Sequence, residues 1–150
     1  MRHETRGFTL VELLIVVAII GIIAAIAIPG LTSAIQRARQ KRMMVELRTV
    51  GTAVSTYATD FAYVPKVAAG VVEDLAPYLV PTYVRTLPYL DGWRRAMFYY
   101  SAGLEYTVRS TGSDGLTQAG PPMGPTTSFP DDLVMVNGIF VQWPDGMQVK

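Results

Sequence analysis

The sequence predicts an α+β protein in which one long N-terminal helix, first apolar and then amphipathic, packs on a small antiparallel β-sheet head. Three observations carry that prediction. Leu13 to Ile28 contains no polar side chain. Leu31 to Asp60 then repeats apolar residues at helical spacing. Beyond Ala62 the periodicity changes, prolines stand at positions 65, 77, 81 and 88, and short strand-like runs flank turn residues.

The apolar run fixes the first element. Phe8 to Ile28, as a helix, spans about 31 Å, close to the hydrocarbon thickness of a bilayer. Three readings compete. A buried core helix would seldom be wholly apolar over so long a stretch. A cleaved secretory signal wants a shorter core before a small-x-small site, of which "AAIAIPG" is a rough version. A retained single-pass transmembrane helix fits the length, and Arg2 and Arg6 favour keeping the first residues in the cytoplasm. Glu12 near the start of the run is either wetted at headgroup level or paired with a specific partner, since a lone carboxylate in lipid costs a few kcal/mol. Pro29 and Gly30 follow the run. By their chemistry they end or weaken the helix there.

The second half of the helix reads as amphipathic through Ile35, Ala38, Met43, Leu47, Val50, Val54, Tyr57 and Phe61. Arg37, Arg39, Lys41, Arg42 and Arg48 form a basic cluster beside that stripe. A solvated face near anionic lipid headgroups, contacts with acidic residues of neighbouring copies, and DNA binding all remain open. No aromatic residue interleaves with the cluster, which makes nucleic acid an unexpected partner.

In the head, "VVEDLAPYLVPTYV" suggests a short helix starting near Val71 and interrupted by Pro77 and Pro81. "AMFYYS" and "LEYTVRS" read as strands joined through Ala102-Gly103. "DLVMVNGIFVQW" is a hairpin, because Asn137-Gly138 is the pair preferred in a type I′ turn. Between them runs "STGSDGLTQAGPPMGPTTSFPDD", long for a loop and therefore functional or disordered. Its Asp114, Asp131 and Asp132 suit either ordinary turns or, with backbone carbonyls, one hard cation such as calcium.

Composition removes several enzyme classes. There is no cysteine and one histidine, His3, so disulfides, thiol chemistry and histidine-based triads are excluded. A membrane-tethered carboxylate hydrolase is the remaining enzyme reading, and the head offers it only carboxylates and tyrosines in turn-rich contexts. The expectation is that the protein is not an enzyme.

"RGFTLVELLIVVAIIGIIAAIAIP" resembles the class III signal of type IV prepilins and type II secretion pseudopilins: a short basic leader ending in glycine, then phenylalanine, then glutamate at the fifth mature position. Gly7, Phe8 and Glu12 stand at that spacing. The resemblance implies a leader over 1–7, a transmembrane and filament-core helix over 8–30, and a periplasmic pilin-like head over 31–150. It implies cleavage after Gly7 by a prepilin peptidase, N-methylation of Phe8, and pairing of Glu12 with the new amine of a neighbouring copy, which sets subunit register. It also implies that the Pro29 segment stretches or melts during assembly. Losing Arg2, Glu4 and Arg6 takes 13 basic and 12 acidic side chains to 11 and 11.

The head segment "LPYLDGWRRAMFYYSAGLEYTVRSTGSDG", with "DD" and an apolar residue further on, is similar to the major pseudopilin of type II secretion. That family carries an Asp-Pro-Trp-Gly turn, a tyrosine-bearing hairpin, a Gly-x-Asp-Gly loop and a closing Asp-Ile. The resemblance implies calcium at Asp114 and Asp132, with Asp131 beside them and help from Ser110 to Ser113. Two departures stand out: the turn reads "DGW", and the chain runs on past Asp132 into the Asn137-Gly138 hairpin. The implied function is a structural subunit of a secretion pseudopilus, a homopolymer raised from the inner membrane by an assembly platform with minor pseudopilins. A type IV pilin for adhesion, motility or DNA uptake is the alternative. The lack of cysteine denies it the C-terminal disulfide common among those pilins.

Overall fold

The computed structural model describes residues 7–67, 70–120 and 123–147. Helix α1 runs from Leu10 to Phe61 with Pro29 inside it. The reading that Pro29 ends the membrane helix is therefore corrected. Proline removes only its own N–H, the donor that Ala25 would have used. Thr32 Oγ1 donates to the Ile28 carbonyl at 3.0 Å within the same stretch of helix.

The chain divides into two compact units, residues 1–36 and 37–150. In the first, Leu10 to Ile28 is solvent-facing on nearly every side, as a helix meant for lipid or for other helices must be. In the second, the rest of α1 carries the core. Its buried face begins at Gln40 and continues through Met43, Met44, Leu47, Val50, Gly51, Ala53, Val54 and Tyr57. The expected stripe is thus shorter at both ends, because Ile35, Ala38 and Phe61 are exposed.

The head sheet has six strands: β1 Gly70–Val71, β2 Phe98–Ala102, β3 Glu105–Ser110, β4 Gly124–Thr126, β5 Leu133–Val136 and β6 Ile139–Pro144. Their spatial order is β1-β2-β3-β5-β6-β4. Every pairing is antiparallel except β4 with β6, which is parallel. Tyr99, Tyr106, Val108, Leu133, Met135 and Phe140 from the sheet close the core with α1.

Both expected hairpins form. Asn137 and Gly138 take φ of 50° and 81°, the two positive values a type I′ turn requires, and Val136 pairs with Ile139. The first hairpin turns one residue later than expected, at Gly103-Leu104, with Ala102 opposite Glu105. The short helix is a 3₁₀ turn, Val72–Leu75, running into α2, Ala76–Leu79. Pro77 does not interrupt α2. It occupies the first turn, where a missing N–H costs nothing. Part of the glycine-proline loop, expected to be functional or disordered, is strand β4 on the sheet edge.

Candidate functional site

Two places concentrate the residues singled out by the sequence, one at the start of α1 and one under the 111–120 loop.

At the first, Thr9 and Glu12 form a capping box. The Thr9 amide and hydroxyl both donate to Glu12 Oε2 at 2.8 Å, and the Glu12 amide donates back to Thr9 Oγ1 at 3.2 Å. The sequence reading missed this role, although "TLVE" is the S/T-x-x-E pattern that announces it. Glu12 is thereby held beside the first helical turn. Gly7 and Phe8 are exposed just before it. A Cβ added at Gly7 would meet no atom within 4 Å. The fold itself therefore sets no steric demand for glycine there. Pro29 lies within the same helix, in a stretch where Gly21 and Gly30 are likewise unconstrained by neighbours.

At the second, the structure gathers Asp131 and Asp132 around Gln118. Asp132 is fully buried; its Oδ2 accepts the Gln118 amide at 3.0 Å and lies 2.7 Å from Arg109 Nε in an ion pair without hydrogen-bond alignment. Burial pushes its carboxyl above the usual range, against the lowering pull of the Gln118 amide and Arg109. Asp131 accepts Gln118 Nε2 at 3.0 Å on Oδ1 and the Thr126 hydroxyl on Oδ2. Asp114 is exposed and caps its own turn through the Leu116 amide at 2.9 Å.

The serines turn elsewhere. Ser110 Oγ donates to Asp91 Oδ2 at 3.0 Å, and the Ser113 amide bonds the Phe129 carbonyl at 2.8 Å. Asp91, in the "DGW" turn, accepts the amides of Trp93 and Arg95 on its other oxygen at 2.9 and 2.8 Å. The glycine in that turn is explained by contact: a Cβ at Gly92 would stand 2.6 Å from the Arg39 carbonyl oxygen of α1.

Calcium wants six to eight oxygen ligands. Here Ser110 Oγ serves Asp91, both Asp131 oxygens are engaged, and Asp132 Oδ2 faces a guanidinium; Asp132 Oδ1 is the buried carboxylate oxygen of this set left open. Among the described residues no cluster of three or more acidic, histidine or cysteine side chains is arranged for a metal ion. As placed, this donor set does not fit the ion.

The prokaryotic N-terminal methylation motif matches residues 2–28. The type IV major fimbrial protein FimA of Dichelobacter nodosus is 50% identical over 60 residues, 40% of this chain and 38% of its own length. This chain therefore spans well under half of the fimbrial protein it matches. The type II secretion system core protein G of Escherichia coli is 30% identical over 124 residues, covering 75% of this chain and 84% of its own. The chain belongs to the type IV pilin-like family that includes core protein G. The core protein G of Klebsiella michiganensis aligns over 114 residues at 28% identity. No solved structure matches the chain.

For a pilin-like subunit the two regions divide the work. The α1 start carries the processing motif and an apolar surface suited to membrane anchoring. The head carries a closed core and an acidic loop cross-braced by side chains. The basic residues Arg37, Arg39, Lys41, Arg42 and Arg48 are all exposed on α1, with Arg42 paired to Glu46 at 2.7 Å and Arg48 over the Phe140 ring.

Proposed function

We propose that this subunit polymerises through its N-terminal helix into a type II secretion pseudopilus and helps to move folded proteins across the outer membrane. The observation that carries this reading is how far each likeness extends. The fimbrial likeness stops at 60 residues, whereas the core protein G likeness runs over 124 and so takes in the head. The helical half of a pilin-like chain answers to packing in lipid and filament, and the head answers to what the filament does.

In this reading the precursor sits in the inner membrane as a single-pass protein with its head in the periplasm. A prepilin peptidase cuts after Gly7, and the Phe8 amine is methylated. An assembly platform and minor pseudopilins then raise the subunit into a periplasmic filament. Contiguous apolar surface of this size cannot stay in water, so the helix passes from lipid directly into a bundle of like helices. No step of this needs a catalytic group in the subunit.

The test is a chromosomal deletion complemented with the wild-type chain. Folded extracellular enzymes should accumulate in the periplasm of the deletion strain and reappear outside on complementation. Normal secretion with loss of surface filaments or motility would overturn this reading in favour of a type IV pilin.

A further inference from the structure

We infer that Arg109 and Arg95 fasten the 111–118 loop in the place of a divalent cation, so that the head is stable without calcium. Arg109, on β3, faces two partners at once: its Nε lies 2.7 Å from Asp132 Oδ2 in an ion pair that lacks the alignment of a hydrogen bond, and its Nη2 donates to the Gln118 carbonyl. One positive group thus joins the buried aspartate to a loop carbonyl, the kind of bridge a bound ion makes between carboxylate and backbone oxygen. Arg95 adds a single contact from another side, donating from Nη1 to the Gly112 carbonyl at 3.1 Å.

The backbone is built around these guanidiniums. Gly115 has φ of +76°, and a Cβ there would lie 2.8 Å from Arg95 Cζ, so the guanidinium rests on the bare backbone. Gly112, at φ +61°, lies so close to the Pro130 and Asp131 carbonyls that a Cβ would stand 2.3 and 2.6 Å from their oxygens. That contact draws the start of the loop onto the segment bearing Asp131 and Asp132. Gln118 completes the brace, its amide on Asp132 and its side chain on Asp131. A divalent ion reaching the open Asp132 Oδ1 would have to share that carboxylate with the Arg109 guanidinium and meet its like charge. A planar fork with several fixed donors suits carboxylate and carbonyl together, which a lysine ammonium cannot reproduce as well.

The test uses the full-length chain in detergent, with thermal unfolding followed by the fluorescence of Trp93 and Trp143. In chelator and in millimolar calcium the wild-type transitions should coincide. Arg109→Met should lower the midpoint on the order of 10 °C in both media, because it strands a buried carboxylate. Arg109→Lys should fall between the two. If Arg109→Met does not fold, Arg95→Met supplies the same reading through the Gly112 end of the loop, with a smaller decrease expected. A wild-type midpoint raised several degrees by calcium, with the rise lost in Asp114→Asn, would overturn the inference. So would unchanged midpoints in the Arg109 and Arg95 variants.

Discussion

The Tyr106 hydroxyl on β3 donates to the Gly51 carbonyl of α1 at 2.9 Å and lies 2.8 Å from Ser55 Oγ. Tyrosine has one hydroxyl proton, so with that proton on Gly51 the serine is the donor to the tyrosine oxygen. The contact links sheet to helix at a point where α1 has no side chain. A Cβ at Gly51 would stand 2.2 Å from Met135 Cε and 3.4 Å from that same hydroxyl. Tyr106→Phe keeps the ring and removes the link. The expected cost is about 1 kcal/mol, which lowers the melting midpoint by a few degrees. An unchanged midpoint would mean that ring packing alone carries this junction.

Alkaline pH tests the same core. Burial raises the phenol pKa of Tyr106 and, more strongly, of Tyr99, whose hydroxyl donates to the Pro65 carbonyl at 3.0 Å. Both folded-state values lie above the ordinary value of 10.0. Their contribution to stability is therefore fully present below about pH 10 and is lost as pH rises through the folded-state values. Urea midpoints should hold between neutral pH and about pH 10 and fall beyond it. In Tyr106→Phe the fall should be shallower, since one of the two groups no longer titrates. Equal slopes in the two proteins would assign the alkaline loss to other groups.

At the "DGW" turn, the nearest neighbour of Gly92 is backbone and cannot rotate away. The space left there, 2.6 Å from a built Cβ to the Arg39 carbonyl oxygen, admits no side chain without moving the turn off α1. Gly92→Ala should destabilise the head by about 1–3 kcal/mol and broaden the amide resonances of the turn. A variant as stable as wild type would mean that the turn shifts freely and that Asp91 does not depend on it.

What was legible in the sequence depended on how local the cause was. The apolar run, Asn137-Gly138 and the strand alternation of "LEYTVRS" act through near neighbours and appear as expected. β4 does not, because Gly124–Thr126 has no strand pattern of its own and gains its order from β6, which follows it by a long connection. Ile35 and Ala38 continue the helical stripe but are exposed, since an apolar residue reads the same whether it faces a head, a lipid or another subunit. The Asp132–Arg109 pair was only half visible. The aspartate stands out by motif, whereas nothing in the sequence singles out Arg109 on its strand. The Thr9–Glu12 capping box is written in the sequence as "TLVE", and it gives Glu12 a second role beside its charge.

That second role permits a cleaner separation at Glu12 than removal of the side chain does. Glu12→Ala loses both the cap and the charge, so a failure to form filaments would not say which mattered. Glutamine at this position can still accept the Thr9 amide, as Glu or Gln does in a capping box, but it carries no charge. Glu12→Gln should therefore keep the helix start and insert in the membrane like wild type. If the carboxylate is the counter-ion of a neighbouring Phe8 amine, an apolar filament interior would then hold an unpaired ammonium at heavy cost. Sheared-filament yield should drop to near that of Glu12→Ala while membrane levels stay constant. Normal filaments from the glutamine variant alone would show that Glu12 serves assembly by shaping its own helix. Normal filaments from both variants would remove Glu12 from assembly.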